Sequence, residues 1–294
     1  MAPICFKSGT SSSAKKNAIK KVRAHDSSGF YADDSEWLKI LGRYLTIRVD
    51  GVMRGLATAL GQTRMRTYHG CRPKDVRTYF ENGLRVHSRN TLEAQLRELI
   101  TDKALLRMIS TDGQDLSIDE HRDGKLYVVA DDRHLIKFAG HYMIYGSEWL
   151  SAALRYHRDR LLQFGTPTVL EISLPLTRVD RDTRIELARH MLTEWVRQTV
   201  YPDQVIELDF TFMFKKDLAP ELIVSHFHPQ QIPNWLERMG PLYLVDSSQC
   251  ELCKSPTPKT ADHCGVRARK GVAIQAEQKS VYIRSGSHRG KSSP

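Results

Sequence analysis

The sequence predicts a mixed α+β fold with largely antiparallel sheets, on three observations. Helical spacing is confined to a few stretches, clearest in TLEAQLRELI (91–100) and DRDTRIELARHMLTEWVRQTV (180–200). VIELDFTFMF (205–214) alternates strictly and puts Ile206, Leu208, Phe210, Phe212 and Phe214 on one face, the pattern of a half-buried strand. Other β-rich runs fall between the helices without the regular βαβ rhythm that a parallel sheet requires.

Taken in order, residues 1–33 are Ser-, Lys- and Gly-rich and read as a basic disordered tail. From Asp34 to Gln62, Trp37, Leu38, Ile40, Leu41, Leu45 and Ile47 predict a helix followed by a connection ending near Gly61. RMRT leads as a strand into TYHGCRP (67–73). Leu92, Leu96, Leu99 and Ile100 line one helical face behind an Asn90 or Thr91 cap. KLYVVA (125–130) and the aromatic GHYMIYG (140–146) read as strands, the second leading into a helix capped by Ser147. TVLEISLPL (168–176) is a strand before the long helix, whose apolar face carries Ile185, Ala188, Met191, Leu192, Trp195 and Val196. ELIVSHFHP (221–229) is a further strand that stops at a proline. The folded domain therefore spans 34–245, and 246–294 is a basic, Cys/His-containing extension.

At 294 residues the chain can bury a core without disulfides. No run approaches the ~20 apolar residues of a membrane span, which predicts no membrane partner. The first residues lack an apolar signal core, so the expectation is a cytoplasmic protein whose five cysteines are free thiols. The net charge of +10 favours polyanionic partners, but most of the excess lies in the two ends. G-x-S-x-G, P-loop, G-x-G-x-x-G and H-E-x-x-H patterns are all missing, which removes the common nucleophile-elbow, phosphate-cradle and zincin readings.

Two groups of residues carry chemistry. Cys250, Cys253, His263 and Cys264 form C-x2-C-x9-H-C, a donor set for a structural zinc, although adjacent His263 and Cys264 diverge in an extended chain. His226 and His228 share one strand face but lack a third ligand nearby in sequence, so a surface or active-site rim role is preferred for them. The second group is an ordered series: Tyr68-His69-Gly70, then Asn82-Gly83-Leu84, then Gly124 to Ala130 with Tyr127, then Glu221-Leu222-Ile223-Val224.

That series, over roughly residues 64–230, resembles the ADP-ribosyltransferase family, in its His-Tyr-Glu branch that includes diphtheria-toxin-like and PARP-like enzymes. The resemblance implies split antiparallel β-sheets flanked by helices, with NAD as substrate. It also implies transfer of ADP-ribose to a macromolecular acceptor, protein or nucleic acid, in a toxin, effector or defence setting. Cleaving the nicotinamide–ribose bond passes through an oxocarbenium-like state that a carboxylate stabilises, and Glu221 takes that role by resemblance. His69 would bond a ribose hydroxyl, Tyr127 would stack on nicotinamide, Gly70 would let the amide approach the backbone, and Arg72 would meet the pyrophosphate. Tyr142, Tyr145 and Ser147 are further candidates for lining the cleft, and Glu207 and Asp209 are alternative carboxylates. The chain departs from the family pattern at Leu222, where an aromatic is common, and at Cys71, where Thr or Ser is common. NAD glycohydrolysis, or a non-catalytic NAD- or nucleic-acid-binding module with a zinc-stabilised tail, are the alternatives.

Overall fold

The computed structural model describes residues 16–17, 20–21, 38–39, 41–43, 48–100, 124–203, 207–254 and 264–265. The body is α+β. A six-stranded sheet runs in the order β4-β2-β1-β3-β5-β8, and a two-stranded sheet pairs β6 with β7. The strands are β1 (Arg64–Cys71), β2 (Leu126–Val129), β3 (Thr168–Pro175), β4 (Thr211–Phe214), β5 (Ile223–Phe227), β6 (Gln231–Pro233), β7 (Leu242–Leu244) and β8 (Cys264–Gly265). The first five in sheet order pair antiparallel, and β8 joins β5 in parallel.

Strand alternation separates two faces. Leu126 and Val128 of β2, Leu170 and Ile172 of β3 and Phe212 of β4 enter one apolar cluster with Leu187 of helix α6 (Arg181–Val200). Tyr68, Val169 and Phe227 turn to the other face. There they meet Met143, Ile144 and Tyr145 of α4 (Gly140–Tyr145) and Leu150 and Leu154 of α5 (Glu148–Leu154). Leu96 and Ile100 complete that side, at the end of α3 (Arg89–Leu99). Further helices include α1 (Val49–Leu60), α2 (Arg77–Asn82) and α7 (Glu251–Lys254). Among the described residues, no helix is long and apolar enough to cross a membrane.

The long helix forms where its spacing predicts, because Asp180 caps it by accepting from the Thr183 N–H at 2.8 Å. Its buried residues include Leu187, Ala188, Leu192 and Val196. The helix at 91–100 is also present, but its cap is Ser88, which accepts from the Thr91 N–H at 3.3 Å.

Two elements differ from expectation. GHYMIYG is helical, not a strand, and ends where Gly146 adopts φ 92°. Met143, Ile144 and Tyr145 are three consecutive buried residues, a pattern that does not distinguish a strand from a helix covered on most sides. The alternating run at 205–214 is a strand only over Thr211–Phe214, and Ile206 lies outside the described residues. Of the stretch expected to be helical from Asp34, residues 38–39 and 41–43 are helical, and α1 starts at Val49, within what the sequence suggests is a connection.

Candidate functional sites: a His/Cys cluster and the faces of the central strands

His226 and His228 are two residues apart on and just beyond β5, so both leave the same side of the sheet. Cys250 precedes α7 and Cys253 sits one turn later, with the Cys253 N–H donating to the Cys250 carbonyl at 3.1 Å. The two pairs, distant in sequence, meet at the sheet edge. One donor atom from each of the four residues lies within 4.8 Å of the others. His226 Nε2 is 3.4 Å from Cys253 Sγ and 3.8 Å from Cys250 Sγ.

The chemistry of the cluster is that of metal ligands. His228 Nδ1 is 2.9 Å from the Pro167 carbonyl and 3.4 Å from the Thr168 hydroxyl, which fixes the ring. Its Nε2 is buried with no hydrogen-bond partner among the described residues. A backbone acceptor on one ring nitrogen is how proteins orient a ligating histidine. Burial opposes ionisation of Cys250, but the neighbouring imidazoles of His226 and His228 outweigh it and hold the thiol well below its ordinary range. Thiolate and neutral imidazole are the forms that bind metal. This cluster can hold a metal ion.

The donor set differs from the expected Cys250, Cys253, His263 and Cys264. His226 and His228, expected at a surface or cleft rim, are 1% and 5% exposed and supply the partners for the C-x2-C pair. His263 lies outside the described residues, and Cys264 stands in β8 at the register position of His226. The C-x2-C spacing identifies half the site in sequence. The other half is in the H-x-H of β5, whose link to the cysteines is made by tertiary contact alone.

The residues read as an NAD site are dispersed. His69 and Tyr127 lie on neighbouring strands, and His69 Nδ1 is 2.9 Å from the Tyr127 carbonyl. The register pairs Tyr68 with Val129, so the Tyr127 side chain shares the face of Tyr68 while His69 leaves the opposite face. Burial lowers the His69 pKa; the bond to Tyr127 opposes this and the charge of His87 adds to it. The ring is therefore neutral near pH 7, with Nδ1–H donating to the Tyr127 carbonyl.

Glu221 is exposed in a turn before β5. Ile223 pairs with Ile172, and Ile172 with Thr67, so Glu221 comes level with Met65. At about 3.3 Å per residue and about 4.8 Å per strand, it stands roughly 16 Å from His69. The expected triad does not share one cleft.

Arg72 is a structural clamp, not a pyrophosphate ligand. Its guanidinium donates to the carbonyls of Leu162 at 2.5 Å, Phe164 at 2.6 Å and Ile144 at 2.8 Å. Arg72→Ala should destabilise the fold by about 3 kcal/mol in a denaturant titration, because three partly buried acceptors lose a charged donor.

Gly70 is bare for packing reasons. A Cβ there would come within 2.7 Å of Met143 Cγ, so Met143 occupies the space expected for nicotinamide. Gly70→Ala should cost about 1–3 kcal/mol by the same measurement. Tyr145 is buried, donating to Glu237 and accepting from Asn234, both at 2.9 Å. Tyr142 donates to Glu148 at 3.1 Å. Ser147 accepts from the Leu150 N–H at 3.1 Å, the cap its sequence position predicts. Of the alternative carboxylates, Glu207 is 3.5 Å from Lys137 and Asp209 is 3.5 Å from His134. Burial pushes the Cys71 thiol up to about 12.

One acidic residue missed in the sequence lies beside β1. Glu171 of β3 pairs with Tyr68, is 6% exposed, and accepts a short hydrogen bond from the Ser225 hydroxyl. Arg66 Nη1 is 4.0 Å from its carboxylate. Alternation puts Glu171 on the same face as Tyr127, which is 40% exposed. In VLEISL the glutamate reads as the polar position of a buried strand, and only the cross-strand register brings it to this face. Compared with protein-family models, curated proteins and solved structures, the chain has no match.

Proposed function

We propose that this chain is an NAD-dependent ADP-ribosyltransferase whose fold is locked by one structural zinc ion. The observation that carries the catalytic reading is that Tyr127 and Glu171 flank β1 on a single face, supported by the order of the family-like motifs along the chain. Tyr127 offers its exposed ring to nicotinamide, and Glu171 offers a preorganised carboxylate to a ribose hydroxyl and to the charge that develops at the anomeric carbon. Arg66, beside that carboxylate and exposed to solvent, suits the pyrophosphate. His69 works from the reverse face as a positioning residue, tying β1 to the Tyr127 carbonyl. The nicotinamide–ribose C–N bond breaks with its electron pair leaving on nicotinamide. An acceptor nucleophile then bonds to the anomeric carbon and gives up its proton.

The expected result is release of nicotinamide from NAD by the purified chain, with adenylate-labelled NAD leaving its label on protein or nucleic acid. Label found only on free ADP-ribose would make the chain an NAD glycohydrolase, and no nicotinamide release would end the enzymatic reading.

For the metal, zinc fits the donor set. Zn–S bonds of about 2.3 Å and Zn–N bonds of about 2.0 Å at tetrahedral angles place sulfur and nitrogen about 3.5 Å apart. The distances of 3.4 and 3.8 Å from His226 Nε2 to the two sulfurs bracket that value. Four protein donors close the coordination shell, which is the arrangement of a structural site.

A further inference from the structure

The two sulfurs of the metal cluster are unequally placed. Cys250 is 6% exposed, whereas Cys253 is only half-buried and within reach of small solutes. One turn of backbone separates them, with the Cys253 and Lys254 N–H groups both donating to the Cys250 carbonyl at 3.1 Å. Their Sγ atoms lie within 4.8 Å of each other. Cys250 stands outside α7 in extended backbone, at φ −80° and ψ 111°, so the helical repeat does not fix its side chain. The flanking elements are a short 3-10 turn (Ser247–Gln249) and the four residues of α7, neither of a length that is stable alone. Bringing the sulfurs to the ~2.05 Å of a disulfide therefore disturbs little of the fold.

Neither half of the cluster holds a metal without the other. Structural zinc takes four protein donors, and half of them here are the two sulfurs. Joining those sulfurs to each other removes both thiolates at once and leaves His226 and His228 alone. The other described cysteines are placed differently. Cys71 is 3% exposed and burial pushes its thiol up to about 12, which makes it a poor nucleophile. Cys264 stands at the register position of His226, on the strand that pairs with β5.

We infer that the cluster is a peroxide-sensitive switch: hydrogen peroxide joins Cys250 to Cys253, and the metal-mediated tie between α7 and β5 is lost. The inference rests on the zinc reading and is independent of the enzymatic one. The Cys253 thiolate, the more exposed of the two, attacks one peroxide oxygen. The O–O bond breaks, hydroxide leaves, and Cys253 becomes a sulfenic acid. The Cys250 thiolate then attacks that sulfur, displaces a second hydroxide and forms the S–S bond. The two sulfurs together give up two electrons, peroxide accepts them, and two protons from solvent turn the two hydroxides into water. Both sulfur–metal bonds are broken in the exchange, and a dithiol reductant reverses it.

The test uses the full chain loaded with zinc and exposed to hydrogen peroxide. Released zinc is read with a colorimetric indicator, and disulfides are mapped by mass spectrometry on peptides cut without reduction. Nearly all the bound zinc should be released, while the peptide carrying Cys250 and Cys253 loses two hydrogens and Cys71 stays reduced. A dithiol reductant followed by fresh zinc should restore the loaded state. Cys71→Ser and Cys264→Ser should form the same bridge and release zinc to the same extent. A chain that keeps its zinc in peroxide overturns the switch alone. So does zinc loss with Cys253 overoxidised and unbridged, or with a bridge to Cys264. A chain that takes up no zinc overturns the metal reading and the switch together.

Discussion

Cys253→Ser should lose stoichiometric zinc and lower the thermal midpoint by about 10–35 °C, whereas Cys71→Ser, which alters a buried thiol outside the cluster, should keep its zinc. The size follows from two contributions. A ligand present at about 100 times its Kd stabilises the native state by about 2.7 kcal/mol, and that is lost with the site. His226 and His228 would then sit buried without a ligand, at about 1–3 kcal/mol for each group left unsatisfied. For a domain of this size each kcal/mol is worth about 2–4 °C. Metal analysis and a thermal scan on the same samples check it. Chelation of the unaltered protein should reproduce the lower midpoint, and adding chelator to Cys253→Ser should change nothing further. Equal zinc content in the two serine variants would show that Cys253 is not a ligand.

The histidines and cysteines of this site also show what the sequence makes legible and what it hides. Local pattern is enough for Thr168–Pro175 and Arg181–Val200, where β-rich composition or a cap and an apolar stripe decide the structure within the segment. It fails at Gly140–Tyr145, because aromatic and branched residues buried on most sides have no readable period. The C-x2-C pair is legible because two thiols a helical turn apart are useful mainly together. His226 and His228 join them across an intervening segment that includes the β6–β7 hairpin, and no spacing rule spans that distance. The same limit governs the proposed NAD site. TYHGCRP looks like a ligand-binding strand end, yet Gly70 accommodates Met143 and Arg72 clamps three carbonyls. Both uses favour the same residue types, since a bare position suits a side chain as well as a substrate, and a guanidinium suits carbonyls as well as phosphates.

The carboxylate is where the family-like motif and the geometry part, and there the second large effect is expected. Glu171→Gln should reduce nicotinamide release by about 10²–10³-fold, while Glu221→Gln should leave it within about twofold. Glutamine preserves the shape of Glu171 and an oxygen able to accept from Ser225, so the packing beside Tyr68 survives while the negative charge is lost. A charge that stabilises an oxocarbenium-like state acts mainly on the transition state, so kcat should fall and KM for NAD should change little. Glu221 is exposed and roughly four residues along the sheet from the level of His69, too far to bond a ribose held against Tyr127. Arg66→Ala, on the same face as Glu171, should instead raise KM with a smaller effect on kcat, as expected for a phosphate contact made equally in ground and transition states. Steady-state nicotinamide release for the three variants, with thermal midpoints measured alongside, separates catalytic loss from unfolding. If Glu221→Gln abolishes release and Glu171→Gln does not, the carboxylate belongs at the start of β5, as the motif order implies, and the face bearing Tyr127 and Glu171 is not where NAD reacts.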